Sequence, residues 1–212
     1  MLPLLFLLLL ILPSYQIEPS KIIIIYFSRA GENYEVGKVE IGNTKMVVSY
    51  MKQLYNLADF EIIPQKPYPE SYEETFEIAK KEKDLDTRPP LLINLTDISA
   101  YDIILLGYPI WHQHLPNVVM TQLELLNFEG KIIFPFITHE GTGFGNSLDE
   151  IERSAPKAQI GDGLELRGTE ARNESSHEAI KNWLDKVIKT KTGKDGYIKS
   201  SMFILLLIIL MF

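Results

Sequence analysis

The sequence predicts an α/β domain on a parallel sheet. Three observations carry this. Lys21–Phe27, Asp102–Leu106 and residues 131–137 are short apolar runs without polar alternation, as expected of strands buried on both faces. Strand and helix patterns alternate along the chain, implying βαβ units with right-handed crossovers. Two of the runs stop abruptly in loops rich in aromatic residues or glycine, and open parallel sheets bind ligands at such strand ends.

Taken in order, Lys21–Phe27 holds four isoleucines followed by Tyr26 and Phe27. Residues 44–58 read as a helix, with Val47, Tyr50, Met51, Leu54, Tyr55 and Ala58 at helical spacing. Phe60–Ile63 reads as a short strand closed by Pro64. An excursion runs from Pro64 to Pro90; its charged middle, Glu70–Lys83, places Tyr72, Phe76 and Ala79 on one helical face. After the strand at Asp102–Leu106, Pro116 suits the first position of a helix through Leu126. After the strand at 131–137, Ser147 is placed to cap a short helix. Gln159–Leu166 is a last, weaker strand. Ser175–Glu178 has the form of a capping box before a helix whose inner face is Ile180, Trp183, Leu184, Val187 and Ile188.

The chain has 212 residues, a net charge of −7 and no cysteine. The length suits one domain, residues 20–190, between unusual ends. The charge argues against nucleic-acid binding driven by phosphate contacts. Without cysteine there is no disulfide, thiolate metal site, iron–sulfur cluster or cysteine nucleophile. Segment 1–19 opens with an apolar run, Met1–Leu12, shorter than the roughly 20 residues of a membrane span but of signal-sequence length. No basic residue precedes it. Segment 191–212 is a polar linker ending in an apolar tail, Met202–Phe212, in the form of a GPI signal. Together the ends point to the secretory route or membrane association, with a cytoplasmic protein as the alternative. Sequons at Asn94 and Asn173 are compatible with glycosylation.

Two regions carry chemistry. After the first strand, Ser28–Gly31 leads through residues 32–41 to Gly42-Asn43-Thr44, where a helix begins. Its first-turn N–H groups, its dipole and the hydroxyls of Ser28 and Thr44 would converge on a phosphate monoester. Equally, Asn43 or Thr44 could only cap the helix. A P-loop is rejected, because five residues rather than four separate Gly31 from Gly37 and Val39 replaces the required hydroxyl residue. The dinucleotide fingerprint is missing from the first turn. Tyr108, Pro109 and Trp111 offer a flat apolar surface, while Thr138 and His139 precede Gly141, Gly143 and Gly145, where backbone can approach a ligand closely. Trp111 could instead pack on the next helix. His139 is more often structural than catalytic. His112 and His114 make a weak metal pair. Gly145–Asp149 lacks the last glycine of a nucleophile elbow.

Tyr26–Gly31 with Gly42–Thr44, Gly107–Trp111, and Thr138–Ser147, in this order at strand ends, resemble the three cofactor loops of the flavodoxin family, with residues 32–41 splitting the first loop. The resemblance covers residues 20–190. It implies a flavodoxin-like three-layer sandwich with a five-stranded parallel sheet in order 2-1-3-4-5, and FMN as cofactor. It further implies that Ser28, Asn43 and Thr44 hold the phosphate, with the Lys45 N–H nearby. Tyr108, Pro109, Ile110 and Trp111 would flank the ring; Thr138, His139, Gly141, Thr142 and Gly143 would line its pyrimidine edge. The role of Arg29 and the second aromatic over the ring are left open. Glu140 and the acidic surround would disfavour an anionic reduced flavin.

The expected function is electron transfer, either as a carrier for a redox partner protein or as a reductase passing hydride from NAD(P)H to a quinone-like acceptor. The alternative is a membrane-associated binding or scaffold module without redox turnover.

Overall fold

The computed structural model describes residues 18–190. The elements follow in chain order: β1 (Ile22–Tyr26), β2 (Gly31–Asn33), β3 (Gly37–Val39), α1 (Asn43–Leu54), β4 (Ala58–Glu61), α2 (Tyr72–Asp84), β5 (Ile103–Pro109), α3 (Asn117–Leu123), β6 (Ile132–His139), α4 (Ser147–Ser154), β7 (Gln159–Ile160), β8 (Leu164–Arg167), α5 (Gly168–Ala171) and α6 (His177–Ile188). The main sheet is parallel and ordered β4-β1-β5-β6, with β7 and β8 both pairing β6. This is the 2-1-3-4-5 order, with the fifth strand in two pieces.

Alternation along the strands builds three layers. Ile22, Ile24, Tyr26, Ile103, Leu105, Phe134 and Phe136 pack with α1 (Val47, Val48, Met51) and α6 (Ile180, Trp183, Leu184, Val187). The residues between them, Ile23, Ile25, Ile104, Leu106, Tyr108, Ile133 and Ile137, pack on the other face with α3 (Val118, Val119, Leu123) and Ile151 of α4. Each fully buried isoleucine or leucine contributes about 1.5–3 kcal/mol. Double-sided burial is why these strands read as unbroken apolar runs.

Several boundaries differ from the sequence reading. The first helix stops at Leu54, because Tyr55 turns extended, and Ala58 begins β4 instead of ending the helix. Pro116 stands one position earlier than expected, as the N-cap of α3. Asn146 rather than Ser147 precedes α4; the Ser147 hydroxyl donates to the Phe144 carbonyl (2.7 Å). No capping box forms at Ser175–Glu178. Ser176 donates instead to the Asn173 carbonyl (2.9 Å), closing a 3₁₀ turn before α6. The fifth strand breaks at Gly161–Gly163, where side chains would strike the rings of Phe134 and Phe144.

Residues 32–39 fall within an antiparallel hairpin, β2–β3, that sequence reading left unassigned, and Glu40 and Ile41 lead from it to α1. Its turn uses Glu35 and Gly37 at positive φ. No described helix is long and apolar enough to cross a membrane. The expected signal and GPI segments lie, apart from Glu18 and Pro19, outside the described residues, as do any consequences for localisation.

Candidate cofactor site

β1, β5 and β6 run side by side in register, Tyr26 beside Gly107 and Pro109 beside Thr138. The loops that follow them therefore emerge together. A cavity of about 470 Å³ opens there, within the roughly 300–1,000 Å³ usual for ligand sites.

One end of the cavity is built by Ser28, Asn43 and Thr44. Ser28 Oγ accepts the Lys45 N–H (3.0 Å), and Thr44 Oγ1 lies 2.9 Å from Thr138 Oγ1. A Cβ on Gly42 would stand 2.4 Å from Ser28 Oγ and from the Arg29 carbonyl. The hairpin thus loops out and returns, and the missing side chain at Gly42 lets the turn close against the start of α1. The Lys45 ammonium is turned away and pairs with Glu61 (2.6 Å).

Arg29 is a staple. Its guanidinium donates to the carbonyls of Glu32 (2.7 Å), Pro69 (3.2 Å), Glu70 (2.8 Å) and Ser71 (3.1 Å), tying the hairpin to the excursion. Burial lowers its pKa from the ordinary arginine value.

Trp111, Pro109 and Ile110 line the cavity. Phe27 and Tyr68 meet Trp111 edge-on, at 5.3 and 4.8 Å between centroids. The Tyr68 hydroxyl donates to Glu82 (2.7 Å), and burial raises the pKa of both groups. Trp111 and His114 exchange two backbone hydrogen bonds around His112 and Gln113, both left-handed (φ 51° and 67°). Such a two-residue turn favours glycine and asparagine. Gln113→Gly is expected to stabilise the fold by about 1 kcal/mol, raising Tm by about 3 °C in a thermal melt. An unchanged or lower Tm would mean that the turn carries no strain.

The loops after β5 and β6 are joined. The Asn146 N–H donates to the Gln113 carbonyl (2.7 Å), and a Cβ on Gly145 would stand 2.3 Å from that oxygen. Glu150 accepts the Leu115 N–H (2.7 Å) and contacts His114 Nδ1. Tyr108 does not line the cavity. It is 0% exposed, its hydroxyl 3.0 Å from Ser147 Oγ, and burial raises its pKa.

Thr138, His139 and Thr142 line the cavity, and the loop curls around the imidazole. His139 Nδ1 accepts the N–H groups of Gly141 (2.9 Å) and Gly143 (3.1 Å). With Nδ1 accepting both, Nε2 is the ring nitrogen left to donate. These two N–H groups, expected to face a ligand, are committed to the histidine.

A family model described as Flavodoxin matches residues 21–187. The chain belongs to the flavodoxin family. No curated protein matches it. A solved candidate flavoprotein from Bacteroides eggerthii is 27% identical, with a TM-score of 0.63 over 81% of this chain and 99% of the other. A second, from Bacteroides uniformis, is 24% identical over 79% and 99%, TM-score 0.60. A flavoprotein from Lactobacillus acidophilus, solved in complex with FMN, is 18% identical over 76% and 99%, TM-score 0.54.

In this flavodoxin-family chain the cavity has a wall that sequence reasoning missed. Tyr72, Thr75, Phe76, Ala79 and Lys83 lay one face of α2 along it, and Tyr34 extends it from the hairpin tip. Centroid distances step from Tyr34 to Tyr72 (5.9 Å), to Phe76 (6.0 Å) and to His112 (4.0 Å). The spacing of Tyr72, Phe76 and Ala79 showed a shared face but not where it points.

Proposed function

We propose that this chain binds FMN in the cavity and acts as a flavin-dependent oxidoreductase. One observation carries the reading: the turn at Ser28 and Asn43–Thr44, at the start of α1, opens into the same cavity as the loops after β5 and β6. A single molecule with a phosphate at one end and a flat ring at the other meets both. The Lactobacillus acidophilus relative solved with FMN adds support.

Ser28, Asn43 and Thr44 hold the phosphate, with the Lys45 N–H fixing Ser28 Oγ and the positive end of α1 adding its field. Pro109, Ile110 and Trp111 flank the ring, with Tyr108 bracing the loop from behind. Thr138, His139, Gly141, Thr142 and Gly143 frame the pyrimidine edge, where His139 Nε2–H is a donor. Bound FMN supplies one- or two-electron transfer; the protein binds, orients and tunes it.

Between carrier and reductase, the row of rings from Tyr34 to His112 favours a reductase with a small planar partner, NAD(P)H or a quinone-like acceptor. A carrier serving a redox partner protein needs an open ring edge. No observation favours a scaffold without redox turnover. Anaerobic mixing of the FMN-loaded chain with NADH or NADPH should bleach the visible flavin absorbance, and a quinone should restore it. Reduction by a protein donor but by neither nucleotide would make the chain a carrier.

A further inference from the structure

Among the described residues one buried side-chain polar atom has no hydrogen-bond partner, Glu140 Oε1. Folded proteins pair nearly all such atoms, because an unpaired one loses its water without compensation. Glu140 follows β6 directly and lines the cavity. A carbon at the Cβ position of Gly168 would stand 2.7 Å from Glu140 Oε1 and 2.3 Å from Asn43 Nδ2. The orphaned oxygen therefore lies near the anion-binding end, between Asn43 and the loop that begins at His139. Gly168, which is buried, leaves the room that both side chains need. Arg172, just beyond α5, fixes Asn43 by donating to its Oδ1 (3.2 Å) and to the Ile41 carbonyl (2.8 Å).

We propose that Glu140 Oε1 accepts a hydrogen bond from a hydroxyl of the polyol chain that joins phosphate to ring in bound FMN. This rests on the FMN reading above and assigns the part of the cofactor that the phosphate and ring residues leave unread. A carboxylate is an acceptor only, so it needs a donor. The phosphate offers charge of the same sign. The polyol offers neutral hydroxyls, and it must pass between the anion-binding turn and the ring loops, where this oxygen lies. The carboxylate also selects: a ligand with an acceptor or an anion at this place is rejected.

The test titrates the full chain with FMN, with riboflavin, which lacks the phosphate, and with lumiflavin, which also lacks the polyol, following flavin fluorescence. Glu140→Ala should weaken riboflavin by about tenfold to a hundredfold, weaken FMN less, because the same change removes a negative charge near the phosphate, and leave lumiflavin unchanged. Glu140→Gln, which keeps an acceptor oxygen, should recover most of that loss. Without ligand, Glu140→Ala should melt no lower than the parent, because an unpaired buried oxygen is removed. Tighter FMN binding by Glu140→Ala with riboflavin unchanged would overturn the proposal, since Glu140 would then only repel the phosphate. Equal losses for lumiflavin and riboflavin would overturn it in favour of a contact with the ring. Unchanged affinity for all three would also overturn it while leaving the FMN reading intact. A parent chain that binds no flavin removes both.

Discussion

Trp111→Ala should weaken FMN binding about tenfold to a hundredfold, the value of one aromatic platform under a flat heterocycle, and should change the shape of the bound flavin's visible spectrum. The expectation follows from how the indole is held. It borders the cavity, meets the edges of Phe27 and Tyr68, and is anchored by the turn closed with His114. An immobilised ring gives its stacking energy without first losing rotamer freedom. The same contacts mean that Trp111→Ala also lowers fold stability, so Trp111→Phe is the control. Phenylalanine keeps a flat apolar face and should retain most of the affinity. Should Trp111→Ala lower Tm but leave FMN affinity unchanged, the indole is a packing residue and the ring lies elsewhere.

The second large effect is expected at Asn43, where the affinities for FMN and riboflavin should separate. Asn43→Asp puts a negative charge in the first turn of α1, which the helix dipole favours. Arg172, which already donates to Asn43 Oδ1, becomes an ion-pair partner. The nearby Glu140 carboxylate opposes both gains, so the variant should melt within a few degrees of the parent. Its FMN affinity should fall by about tenfold or more, because a carboxylate at close range opposes the phosphate. Riboflavin affinity should stay within about twofold, since it has no phosphate to repel. An equal loss for both ligands in a titration would place the phosphate away from Asn43.

Most of the architecture was legible because sheet burial leaves a strong mark. The Ile22–Tyr26 and Ile103–Leu106 runs could hardly be solvated, and the inner face of α6 has every expected residue buried. Ends were less legible, since Tyr55 and Ala58 fit a helical face as well as they fit the turn and strand they occupy. Tyr108 shows what parity adds. Ile104, Leu106 and Tyr108 share one face of β5, so once the strand runs to Pro109 its tyrosine must enter the core. The sequence reading ended that strand at Leu106 and so left Tyr108 free to flank a ligand. The β2–β3 hairpin has weak strand propensity, and only Gly37 marks its turn. The roles of Arg29, Gly168 and the α2 face depend on contacts between residues far apart in the chain, such as Arg29 with Glu70, which no local pattern encodes.

One cavity should receive both ends of FMN. The direct measurement is an absorbance titration of the purified chain, stripped of ligand, with FMN. One flavin per chain, with a shifted and structured visible band and release of FMN from Asn43→Asp, is the predicted result. A chain that leaves the free-FMN spectrum unchanged at every protein concentration would contradict it.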